Sequence, residues 1–293
     1  RKLGYTAMAL TDHGNMGGHY QFAKAAAGKK DSDGEPQPPF KAIFGIEGYL
    51  CEDVTVHEHV PITDANGVTR LRRPKHSHIV LLAKDQAGYD NLLELARIGA
   101  SREAYYYEPR FDWSHLSQHA EGLVCMSACI AGEVGRSIRE DRFRETPDIV
   151  DRYRQVFGED FYLEIQHHKM PEEKKVYKEI VSLADEMEIK VVATNDVHYV
   201  NKKDAKGHSL VVAMRFRRDE RKLGSGDDRN LSSAYNQPEF YLKTKEEMWD
   251  TFEHRPDALL NTLEVAEKCQ YEFPLQSGII WPAFRSDSGI DLQ

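Results

Sequence analysis

The sequence predicts an α/β protein in which strands and helices alternate around a closed or nearly closed β/α barrel. Three observations carry that prediction. Short apolar, β-branched runs recur along the chain, helical patterns separate several of them, and 293 residues suffice for one large barrel domain or a domain with a substantial appendage. Such alternation favours a parallel sheet, and in barrels of this type the reactive groups sit where strands end.

The runs, in order, are YTAMALT at 5–11, FKAIFGI at 40–46, HIVLLA at 78–83, GLVCMS at 122–127, FYLEI at 161–165 and KVVAT at 190–194. Asp85 reads as a helix N-cap, because Tyr89, Leu92, Leu93 and Ala96 follow it at spacings of three and four. Pro171 opens another helix, with Val176, Ile180, Leu183, Ala184 and Met187 on one face. Two polar segments, 29–39 and 52–75, interrupt the pattern as surface insertions. After Asn201 the pattern changes. A charged, glycine-containing loop at 214–230 precedes a helical stretch near 245–269, and the tail from Gln270 has little periodicity.

Composition excludes several classes. Forty per cent hydrophobic and thirty per cent charged residues, with no run near the ~20 apolar residues of a membrane helix, predict a soluble protein without a membrane span. The opening RKLGYTAMAL is too short for a signal peptide, so a cytoplasmic location is expected. The four cysteines, Cys51, Cys125, Cys129 and Cys269, have no Cys-x-x-Cys spacing, which argues against a zinc ribbon or a disulfide framework. A net charge of −9 argues against holding nucleic acid by charge alone; contact with a polyanion would need a local basic patch or metal ions. The basic residues from Arg70 to Lys75 and from Arg215 to Lys222 could contact a DNA backbone, but such runs are more often solvated loops.

The strand ends carry the chemistry. Asp12 and His13 follow the first run and Glu47 the second. Cys129 follows the fourth, His167 and His168 the fifth, and Asp196 and His198 the sixth. Imidazole, carboxylate and thiolate groups suit divalent ions, and clustered ions clamp phosphate oxygens and acidify water, as phosphoester hydrolysis requires. Gly14 lets the chain turn sharply after His13. His19, His57, His59, His115, His119, His208 and His254 have no such setting and are read as core or surface residues.

The segments TDHGNM, SHIVLLAKDQAGYDNLLELA, YYYEPRFDWSHLSQHAEGLVCMSACIAGEV, FYLEIQHHKMPEEKKV and VVATNDVHYV, continuing through FYLKTKEEMWDTF and NTLEVAEKC, carry a resemblance. In order and spacing they are similar to the PHP (polymerase and histidinol phosphatase) domain at the N-terminus of bacterial DNA polymerase III alpha subunits. The resemblance implies a distorted seven-stranded, TIM-like β/α barrel with up to three divalent ions, zinc, manganese or magnesium. It implies Asp12, His13, Glu47, His78, Cys129, Asp196 and His198 as metal ligands and Asp12, His13 and Asp196 as catalytic residues. His168 would support the ligands from behind.

Relatives carry a His-x-His pair on a strand upstream of TDHGNM, and this chain starts past that point, so the first strand is expected to be missing. Residues 1–200 would form the barrel, and 201–293 an extension leading toward a palm domain that the chain lacks. The implied function is an N-terminal fragment of a replicative polymerase whose metal-dependent phosphoesterase site suits 3′–5′ exonuclease proofreading, with DNA and other holoenzyme subunits as partners. The alternatives are a non-catalytic structural or partner-binding domain, and a small-molecule phosphatase of the histidinol phosphate type.

Overall fold

The computed structural model describes residues 1–28, 30, 34–63, 67, 69–72, 75–215 and 237–275. The strands are β1 (Ala7–His13), β2 (Lys41–Cys51), β3 (Val60–Thr63), β4 (Thr69–Arg72), β5 (His76–Ala83), β6 (Arg110–Asp112), β7 (Leu123–Met126), β8 (Phe161–Ile165) and β9 (Val191–Ala193). The longer helices are α1 (His19–Ala27), α2 (Gln86–Gly99), α3 (Trp113–Gln118), α4 (Glu133–Arg139), α5 (Thr146–Phe157), α6 (Pro171–Met187), α7 (Ala205–Arg215), α8 (Lys245–Thr251) and α9 (Pro256–Lys268). None among the described residues is long and apolar enough to cross a membrane.

Seven strands form one curled half-barrel sheet in the order β1-β2-β5-β7-β8-β9, with β6 added on β2. β1 and β9 are its edges, and no ladder joins them among the described residues. All six apolar runs are strands, and β6 is a short addition that its three residues do not announce. The sheet is mixed where a parallel one was expected: β5 runs antiparallel to both β2 and β7. Among the described residues the segment between β2 and β5 carries only the small antiparallel β3–β4 pair, and the chain returns in the opposite direction.

The helices form where local chemistry provides their ends. Asp85 accepts the Gly88 N–H at 2.9 Å and starts α2, which buries Tyr89, Leu92 and Leu95. Pro171 opens α6, whose Val176, Ile180 and Ala184 face the core. The expected helical stretch near 245–269 is two helices, α8 and α9, separated just before Pro256, whose ring ends any helix that precedes it. Most of the segment expected as a charged loop, 216–230, lies outside the described residues, as do 231–236 and the tail beyond 275.

Alternation along each strand divides the core in two. Phe44, Ile46, Ile79 and Leu81 face outward and pack under the helices with Leu92, Leu95, Val150 and Ile180. Ile43, Val80, Leu82, Val124, Met126, Tyr162 and Val192 face the concave side, where Val265 and Cys269 at the end of α9 cover them. Each fully buried side chain of this size contributes about 1.5–3 kcal/mol. The Gln270 N–H donates to Lys84 O at 2.6 Å, and Tyr271 stacks on Tyr89 with ring centres 4.2 Å apart, so the segment after residue 200 closes both layers. The reactive side chains gather at one rim of the concave face.

Candidate metal centre

β1 and β2 pair in parallel with His13 opposite Glu47, and β2 pairs antiparallel with β5 so that Glu47 sits opposite Val80 and Tyr49 opposite His78. Every second residue faces the concave side, which directs His13, Glu47 and His78 into one space. Glu47 bridges the two rings: its Oε2 lies 2.8 Å from His13 Nδ1 and its Oε1 2.8 Å from His78 Nδ1. One ligand atom from each of the three lies within 4.8 Å of the others. Side-chain exposure falls from 38% at His13 to 10% at Glu47, so the cluster opens to solvent on the His13 side.

Local structure holds these groups. Gly14 has φ +63°, and a Cβ there would stand 2.3 Å from Pro109 Cγ and 3.1 Å from the Tyr49 ring. Only glycine lets the chain leave the sheet at that point. Tyr49 stacks along His13 at 6.1 Å and meets His78 edge-on at 5.3 Å, fixing both rings. Burial works against ionising Glu47, yet the hydrogen bonds and charges of His13 and His78 hold its carboxyl well below the usual carboxylate range.

Three further expected residues border the cluster. Cys129 Sγ lies 3.4 Å from His78 Nδ1, and burial together with the Asp196 and Glu47 charges pushes its thiol well up. The His198 ring lies 6.1 Å from that of His13, and its Nδ1 is 2.8 Å from the Asp196 carbonyl and 3.7 Å from Asp196 Oδ1. Asp196 has φ +41°, an uncommon conformation for a side-chain-bearing residue. Burial raises its pKa, and the Glu47 charge adds to that while the nearby histidines oppose it.

Asp12 is not brought to this cluster. It pairs with Ile46, a residue of the outer layer, and its Oδ2 accepts the Gly18 N–H at 3.1 Å at the start of α1. Adjacent residues on a strand face opposite ways, so Asp12 and His13 cannot both point inward; the carboxylate instead serves the positive end of a helix.

His168 is fully buried and supports the site from behind. Its Nδ1 lies 2.5 Å from Glu173 Oε1, its Nε2 lies 2.9 Å from Asn195 O, and its ring stacks on Phe240 at 3.9 Å. His167 is half-buried beside it. His19 is a core residue bonded to Gly45 O, in line with its sequence reading.

Three features escaped the reading of strand ends. His208 of α7 places its ring 5.2 Å from that of His198. Lys243, buried, donates to Asn195 Oδ1 at 2.7 Å beside Asp196. Glu164, buried on the concave face of β8, accepts from Gln166 and Thr194 through Oε1, while Oε2 is buried and has no partner among the described residues. Burial pushes the Glu164 carboxyl up to about 7, helped by the Asp196 and Glu47 charges. A lone acid in the apolar run FYLEI was the one visible signal for it.

The donor set suits a divalent ion: two imidazoles, an ionised carboxylate between them and a thiol at the edge. Proteins similar to this chain are known. Over 292 residues and 97% of this chain, it is 34% identical to a protein named DNA polymerase III subunit alpha from Treponema pallidum. Proteins of the same name from Borreliella burgdorferi and Aquifex aeolicus are 36% and 30% identical over 92% and 94% of the chain. The chain spans about a fifth of the length of these relatives, at 22%, 21% and 22%. Residues 1–168 match the family described as PHP domain, and the chain belongs to that family.

Proposed function

We propose that this chain is the N-terminal PHP region of a replicative DNA polymerase III alpha subunit and that this rim is a metal-dependent phosphoesterase site acting on 3′ ends of DNA. The observation that carries the reading is Glu47 bridging His13 and His78 at 2.8 Å on each side. A bound zinc, manganese or magnesium ion would supply Lewis acidity toward water and phosphate oxygens. His13, Glu47 and His78 would hold it, with Cys129, Asp196 and His198 available for up to two more. Of the residues expected to be catalytic, His13 belongs to the ligand set and Asp196 to the residues available for further ions. Asp12 belongs to neither, because its carboxylate faces α1.

The residues are prepared for these roles. Glu47 stays ionised because both imidazoles hydrogen-bond its charged form. His13 is the most exposed of the three and the first that an incoming phosphodiester meets. Asp196, 3.7 Å from His198 Nδ1, stands beside it at the edge of the cluster as a further ligand.

In this reading residues 1–200 form the barrel and 201–293 the extension that leads toward a palm domain. DNA and the other subunits of the polymerase holoenzyme are its partners, and it works in the cytoplasm. Metal-dependent digestion of a 3′-labelled single strand, lost in His13→Ala, is the supporting result. Rapid release of phosphate from histidinol phosphate would instead favour a small-molecule phosphatase. Absence of both would leave a structural, partner-binding domain.

A further inference from the structure

Beside the cluster, on the β8–β9 side, three lysines converge on one carboxylate. Lys169 and Lys202 place their ammonium groups 3.0 Å and 3.2 Å from Glu239 Oε1, and Lys243 lies 3.7 Å from Glu239 Oε2. The first two are therefore within about 6 Å of each other, and the three lysines outnumber the two carboxylates that act on them, Glu239 and Glu247. In a chain of net charge −9 this is a local exception.

Burial separates the three. Lys243 is 4% exposed, tied to Asn195 Oδ1 at 2.7 Å and to Glu239 O at 2.5 Å, and it is structural. Lys169 and Lys202 are 62% and 51% exposed, so their stems can swing outward while Glu239, 7% exposed, stays in place. Lys169 has φ +63°, a conformation that holds its side chain at the turn after His168 against local preference.

The cluster adjoins the metal centre through two links. The Phe240 carbonyl, one residue after Glu239, accepts the His198 N–H at 2.9 Å. Asn195, bonded to Lys243, precedes Asp196.

We infer that Lys169 and Lys202 form a phosphate-binding subsite that holds the backbone of a single-stranded DNA end while its terminal phosphodiester lies at the His13–Glu47–His78 cluster. This rests on the phosphodiester reading of that cluster. Glu239 acts as an internal substitute for the phosphate, keeping the two ammonium groups together until the strand displaces them. Contacts to the backbone position a strand without reading its sequence, which suits an enzyme that trims any 3′ end.

The test measures binding of a fluorescent single-stranded oligonucleotide to the whole chain, by anisotropy across a salt series, with metal affinity measured in parallel. In Lys169→Gln/Lys202→Gln the affinity is expected to fall and the slope of log K against log salt to flatten by about 1.4, from about 0.7 for each phosphate neutralised. The paired arginine variant restores both, metal affinity is unchanged, and Lys178→Gln, on the exposed face of α6, has no effect. Glu239→Gln binds the oligonucleotide more tightly, and the gain is lost when Lys169 and Lys202 are also changed to glutamine. Unchanged affinity and slope in the glutamine pair, with digestion still metal-dependent, overturn the subsite and leave the metal reading intact. No oligonucleotide binding by the unaltered chain overturns the subsite, and absent metal binding as well would bring down both readings.

Discussion

Asn195 accepts a hydrogen bond from the buried Lys243 ammonium at 2.7 Å, joining the residue before Asp196 to a segment 48 positions further along the chain. The Asn195 side chain also donates to Tyr241 O, and its carbonyl lies 2.9 Å from His168 Nε2. The turn that presents Asp196 is thus held from three sides, which is how an aspartate is kept at φ +41°. Lys243→Met removes one hold and leaves Asn195 Oδ1 unpaired, a cost of about 1–3 kcal/mol in stability. Because Asp196 then loses its fixed orientation, metal affinity should also fall by about 10–100-fold. Thermal unfolding and calorimetric titration with manganese read the two effects separately.

Neighbouring residues should respond in opposite ways. His13→Ala is expected to abolish high-affinity metal binding while changing stability little, since its side chain is 38% exposed. Asp12→Ala is expected to lower stability by about 0.5–2 kcal/mol, as loss of a carboxylate at a helix start does, and to leave metal stoichiometry unchanged. Loss of metal from Asp12→Ala at full stability would place that carboxylate in the site.

Glu164 predicts a pH dependence in the metal-free protein. Its folded pKa of about 7 lies above its ordinary value of 4.5, so between these values the folded state holds a proton that the unfolded state has lost. Stability therefore falls as pH rises from about 4.5 to about 7 and levels off above. Glu164→Gln, which mimics the protonated form, should be close to neutral at pH 4.5 and stabilising by on the order of 1–3 kcal/mol at pH 8. Denaturant titrations at the two pH values in the presence of a chelator check the sign.

Gly14→Ala should fail for steric reasons. The added Cβ would meet Pro109 at 2.3 Å in a conformation that alanine disfavours, so the loop carrying Pro109 must move and His13 with it. A lowered unfolding temperature together with weakened metal binding is expected, and either one unchanged would separate the turn from the site.

Strand positions were legible because apolar β-branched runs are a local signal, and His13, Glu47, Cys129, Asp196 and His198 were visible as interruptions at the ends of those runs. His78 was not, because it begins its run. The reason is that β5 is antiparallel, which brings its first residues to the rim where the parallel strands finish. Only the family resemblance supplied it. Asp12 was misplaced by reading a pair as a unit when strand alternation separates its members. The Lys169, Lys202, Lys243 and Glu239 cluster joins residues up to 74 positions apart, and no local pattern marks it.

The central claim is that His13, Glu47 and His78 hold a divalent ion. Anomalous diffraction from crystals soaked in zinc or manganese tests it most directly. A peak is predicted at coordination distance from Glu47 and both imidazoles, with Cys129 at its edge. A chain that binds its ion elsewhere, or shows no peak at a metal concentration that saturates digestion, would contradict the claim.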